Sequence, residues 1–152
     1  MINIGKGIIA GLLASATVSG AILLGSQAGA MPPADPVRAL SGVMLSPPGL
    51  SWVVHFGVGT FLWGPILAIM SLVLPSSFWF KGVVFGVLAW LLMILVTWAA
   101  DPTSPPQTGL EPILLHLFFG AALGWIYGAL LDRAERQVSV RRATRRATLT
   151  GW

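Results

Sequence analysis

The chain alternates four long apolar runs with short polar breaks. Between Gly7 and Leu131 the only ionisable acids and strong bases are Asp35, Arg38, Lys81, Asp101 and Glu111. The runs between them, at about residues 6–28, 51–74, 78–100 and 112–131, each come close to the ~20 residues that cross a bilayer core. Unpaired backbone groups are costly in lipid, so these segments must be helices. The breaks are turn formers: Met31-Pro-Pro-Ala-Asp-Pro36, Ser46-Pro-Pro-Gly49, Leu74-Pro-Ser-Ser77 and Asp101-Pro-Thr-Ser-Pro-Pro106. The pattern predicts an all-α integral membrane four-helix bundle over residues 1–131, with an outer loop at 29–50 and a basic tail at 132–152. Ser51 suits the cap of the second helix, and Glu111 followed by Pro112 suits the start of the fourth.

Composition agrees, since 55% hydrophobic and 9% charged residues are far from the averages of soluble domains. The net charge of +4 comes from basic residues gathered after Asp132, which points to a membrane surface as acidic partner and not to nucleic acid. No cysteine is present, which removes disulfides, thiolate metal sites and covalent haem attachment. Lys6, Lys81 and the tail arginines fall at the N-terminus, the second loop and the C-terminus, and four crossings put these three regions on one side. By the positive-inside rule that side is cytoplasmic, so the expected topology is N-in and C-in. Trp52 and Trp98 then fall at the outer interface, and Trp79 and Tyr127 at the inner one. Lys6, the first apolar run and Ala28-Gly29-Ala30 imitate a signal peptide. The first run resembles the third, which cannot be a signal, so retention is expected.

That resemblance defines an internal repeat. Lys6-Gly-Ile-Ile-Ala-Gly11 opens the first helix and Lys81-Gly-Val-Val-Phe-Gly86 the third, while His55 precedes Gly59 as His116 precedes Gly120. The chain reads as a duplicated helical hairpin with its two halves related by an axis along the membrane normal. Helices in lipid associate where small residues let backbones approach. Gly7 and Gly11 with Ser15 and Ser19, Gly59, Gly82 with Gly86, and Gly120, Gly124 and Gly128 are therefore the expected packing seams. Pro65 should kink the second helix.

Candidate chemistry is confined to His55 and His116, each one turn inside an outward-facing helix start and expected at similar depth. Two imidazoles above glycines are what a haem b with bis-histidine ligation uses, and Arg38 is the outward cation available to its propionates. The alternatives are a structural hydrogen-bonding role, or contact with another metal, pigment or quinone. No embedded carboxylate couples ions, and no Ser-His-Asp or HExxH arrangement occurs, so no catalytic residues are assigned and no enzyme is expected. Val37, Leu40 and Met44 in the outer loop fit either a short amphipathic helix or irregular chain. The tail repeats Arg141-Arg-Ala-Thr144 as Arg145-Arg-Ala-Thr148, so Arg141, Arg142, Arg145 and Arg146 form a basic cluster for lipid headgroups or an acidic partner.

The order Lys-Gly-x-x-x-Gly, His-Phe-x-x-Gly, Lys-Gly-x-x-x-Gly, His-Leu-x-x-Gly, carried by Lys6, His55, Lys81 and His116, resembles a group of small bacterial four-helix inner-membrane proteins of unknown function, YagU-like in size and hydropathy. The resemblance covers residues from about Lys6 to Leu131. It implies a membrane bundle and no catalytic residues. The expected role is an accessory or stabilising subunit of a larger membrane complex, in contact with lipids and with other subunits or a second copy. A haem b electron-transfer protein is the alternative, and a small-molecule transporter or channel a third.

Overall fold

A computed structural model of the chain describes residues 2–29, 48–74, 76–100, 102–103 and 109–150. Among them every regular element is helical: α1 (Ile4–Gln27), α2 (Pro48–Val58), a π-helical turn π1 (Gly59–Trp63), α3 (Gly64–Met70), α4 (Phe78–Ala100) and α5 (Leu110–Thr150). The segments α2, π1 and α3 are one continuous rod. Four rods are thus long and apolar enough to cross a membrane. The outer loop, with Arg38 and the Val37, Leu40 and Met44 series, lies outside the described residues.

Local chemistry sets the helix ends. Asn3 caps α1 by accepting the Lys6 N–H at 3.0 Å. Gly29, at φ +67, takes the left-handed conformation that stops α1. The second rod is already helical at Pro48, so Ser51 lies within it and is not its cap. Glu111 occupies the first turn of α5, where a carboxylate complements the helix dipole. The fourth helix does not stop near Leu131. It runs without a break to Thr150, because the chain from Ala129 to that point lacks Gly and Pro, is rich in Arg and Ala, and extends a helix already nucleated in the membrane. Residues 132–150 are therefore an arm on the fourth helix, about 28 Å long at ~1.5 Å per residue.

Pro65 acts through π1. Proline lacks the N–H that would bond one α-turn back, and its ring clashes with that carbonyl. The preceding turn widens instead, and Gly64 N–H donates to Gly59 O, five residues back. This sets the register of the seam. In an unbroken α-helix, positions five apart face about 140° away from each other. With the widened turn, Gly59 and Gly64 both lie buried against α1.

Two tight hairpins result. In the first, α1 meets the second rod mainly through π1 and α3, and the rod leans away along α2. A Cβ on Gly7 would come 2.6 Å from Gly64 O, and one on Gly11 would overlap Gly59 O. In the second hairpin, α4 lies along α5. There a Cβ on Gly82 would overlap Gly120 O, one on Gly86 would overlap His116 O, and one on Gly124 would overlap Phe78 O. Gly128 faces the Phe78 side chain. Contacts this close allow Cα–H···O bonds and dense dispersion, which hold helices together where burial from water cannot. The hairpins join through α1 and α5 around a core of Ala10, Ala14, Leu67, Ala68, Phe85, Ala89, Leu123 and Tyr127. Trp63 on π1 meets Phe85 on α4 edge to face at 5.6 Å.

Candidate functional site

At one end of the bundle, here the basic end, Asn3 N–H donates to the Tyr127 hydroxyl at 3.2 Å, and Tyr127 meets Phe78 edge to face. The two hairpins therefore begin at a common level. Lys81, on the first turn of α4, is buried at 8% exposure. Its ammonium donates to Ser71 O at 2.6 Å and stands 4.9 Å from the Phe78 ring centroid. Ser71 closes α3, so this cation caps the negative end of that helix. Lys6, its counterpart by sequence, is half-buried and lines a groove of about 1010 Å³ between the start of α1 and the arm of α5. Asn3, Asp132, Glu135 and Arg142 line the same groove.

At the other end the two histidines serve separate helix pairs. His55 Nε2 lies 3.3 Å from Ser19 Oγ and ties the leaning α2 to α1. His116 Nδ1–H donates to Pro112 O at 2.7 Å, one turn back on its own helix, while its backbone carbonyl faces Gly86 on α4. From the Asn3–Tyr127 level, Ser19, the partner of the His55 ring, is 16 residues along α1, about 24 Å, and Pro112, the partner of the His116 ring, is 15 residues along α5, about 22 Å. Each ring is bonded to a separate partner, and Arg38 lies outside the described residues. Among the described residues no group of three or more His, Asp or Glu is placed to hold a metal.

Ser15, between Gly11 and Ser19 on the α1 seam, is 1% exposed, and its hydroxyl has no hydrogen-bond partner. It points at Gly59, where only a glycine leaves room for it. A separate apolar cleft of about 500 Å³ is lined by Leu12, Trp52, Phe56 and Phe61. On the arm, Arg141, Arg142 and Arg145 are exposed, and Arg146 faces the groove.

Sequence reasoning used Lys81 as a marker of topology and of the repeat, without a partner, and passed over Asn3, Ser15 as a lone buried hydroxyl, Asp132 and Glu135. Asn3 carried a readable signal, an amide just before an apolar run. The groove carried none, because it exists only where the arm of α5 passes the start of α1.

These features define a multi-pass helical membrane protein of two glycine-seamed hairpins, with a helical arm that continues the last of them and with Ser19, His55, His116 and Lys81 hydrogen-bonded within the bundle. The chain belongs to a family of unknown function, DUF6789, whose family model matches residues 1–138. No curated protein and no solved structure matches it. The family match takes in all four spanning helices and the first turns of the arm, and ends before the arginine pairs.

Proposed function

We propose that this protein is an accessory subunit that stabilises a larger assembly in a bacterial inner membrane, with its basic end in the cytoplasm. The observation that supports this best is the arm of α5. An isolated helix of such length is marginal in water, and this one carries no continuous apolar stripe. It gains most from a partner. The arm carries Arg141 about 15 Å and Arg145 about 21 Å past Leu131. A headgroup layer is only ~5–8 Å thick and the Debye length ~8 Å, so lipid attracts the outer arginines weakly. An acidic surface on a cytoplasmic domain of a partner subunit is the better match.

Two further observations fit this role. Most of the polar groups in the spans are used internally, Ser19 on His55, His116 on Pro112 O, Thr97 on Met93 O and Lys81 on Ser71 O, with Ser15 the exception. The outer face of α4, with Leu88, Leu91, Leu95 and Val96 exposed, presents apolar side chains to lipid or a neighbouring helix. We also read the two hairpins as a duplication. Gly7 against Gly64 and Gly82 against Gly120 are like contacts, and Asn3 and Phe78 meet the same Tyr127.

The test is the mass of the particle extracted from native membranes in mild detergent. The expected result is a complex far heavier than the 16.1 kDa chain that is lost when Arg141, Arg142, Arg145 and Arg146 are replaced by glutamine. A lone monomer under every mild condition would overturn the reading.

A further inference from the structure

The groove at the basic end carries charges of both signs, Lys6, Asp132, Glu135, Arg142 and Arg146. Its floor is apolar and continuous with the spans, made by Ile2, Leu72, Phe78 and Leu131. Above the floor the charges are layered. Lys6 starts one turn inside the Asn3–Tyr127 level, and its long side chain reaches outward along the groove. Asp132 and Glu135 start beyond that level, on the first turn of the arm. Nearest the bilayer the groove therefore has one ammonium, with two carboxylates just above it; Arg142 and Arg146 line its far end, starting about 10 Å beyond Glu135 along the arm. Lys6 and these carboxylates make no ion pair with one another, whereas Lys81 is fully engaged on Ser71 O and Phe78. Asn3 and Ser139 add neutral polar groups to the wall.

We propose that this groove binds the phosphoethanolamine headgroup of a membrane phospholipid. In such a lipid the phosphate lies at the edge of the hydrocarbon and the primary ammonium one ethylene unit away. Lys6 meets the phosphate. Asp132 and Glu135 accept hydrogen bonds from the ammonium, and the acyl chains descend over Leu72 and Leu131. The order of charge selects this headgroup. A headgroup with a phosphate and no amine leaves two carboxylates facing an anion. A choline headgroup places a quaternary ammonium there, which has no N–H to donate. The carboxylates at the bilayer end of the groove thus favour a zwitterionic amine lipid, although the groove and the chain as a whole are basic. The site rests on Lys6, Asp132 and Glu135 and does not require the arm arginines to meet a partner.

The experiment reconstitutes the full chain into vesicles with equal amounts of phosphatidylethanolamine, phosphatidylglycerol and phosphatidylcholine. Lipid retained after mild detergent extraction is then counted by native mass spectrometry. Phosphatidylethanolamine is expected to be retained about tenfold over each competitor, the worth of roughly one charge-assisted hydrogen bond. Lys6→Gln should lower retention of both phosphatidylethanolamine and phosphatidylcholine. The double variant Asp132→Asn with Glu135→Gln should abolish only the preference between them, and because both side chains are exposed it leaves the bundle intact. Arg133→Gln, away from the groove, should change nothing. Equal retention of all three lipids, higher retention of phosphatidylglycerol, or an unchanged preference in the double variant would overturn the proposal.

Discussion

Replacing Gly120 by alanine tests the packing directly. A Cβ there would overlap Gly82 O and lie 2.8 Å from Gly86 N and 2.9 Å from Gly86 Cα. All three are backbone atoms of α4, so no rotamer change can make room. The helices must part by about 1 Å to restore ordinary contact, which weakens dispersion and the Cα–H···O bonds along the seam. Overpacking of this kind costs about 1–3 kcal/mol, offset by up to about 1 kcal/mol from the better helix propensity of alanine. The expected net loss is about 1–2 kcal/mol. Gly20 is the control, because nothing lies within 4 Å of a Cβ built there. Gly20→Ala should leave stability unchanged or raise it by up to about 1 kcal/mol. Equilibrium unfolding in mixed micelles, followed by tryptophan fluorescence, measures both. A Gly120→Ala protein as stable as the parent, or a Gly20→Ala protein that loses as much, would refute the seam as the source of cohesion.

Three other outcomes follow from single side chains. Ser15→Ala removes a buried hydroxyl with no partner, so it should be neutral or stabilising by about 1 kcal/mol in the same unfolding assay, and a clear loss would mean that the hydroxyl is satisfied. Lys81→Met should cost about 1–2 kcal/mol by leaving the end of α3 uncapped, whereas Lys6→Met should cost under about 0.5 kcal/mol; equal costs would contradict the different burial of the two lysines. Protein purified from haem-supplied cells should show no Soret band, since His55 Nε2, a nitrogen that would bind iron, is bonded to Ser19 Oγ; a band that disappears in His116→Ala would overturn this.

The number of spans, their helical state and the small residues between them were legible in the chain. The third helix, Phe78–Ala100, coincides with its predicted bounds, where turn-forming residues flank the apolar run in the sequence. The other bounds moved where local signals compete. Asn3 captured the start of α1 ahead of Lys6, and the arm of α5 continued past Leu131 because neither Gly nor Pro stops it.

Hydrophobicity and backbone hydrogen bonding act locally, so a run of apolar residues determines by itself that it will cross the membrane as a helix. Neighbours in space are determined by complementary surfaces that no stretch of sequence contains. The spacing of Gly59 and Gly64 has meaning only once Pro65 widens a turn against α1. The matched histidine motifs give no hint that His55 meets Ser19 while His116 turns back on Pro112. The groove needs the start of α1, the Ser71 turn and the arm of α5 in one place. Only packing brings them together, because distant residues meet through close-fitting backbones and not through any pattern along the chain.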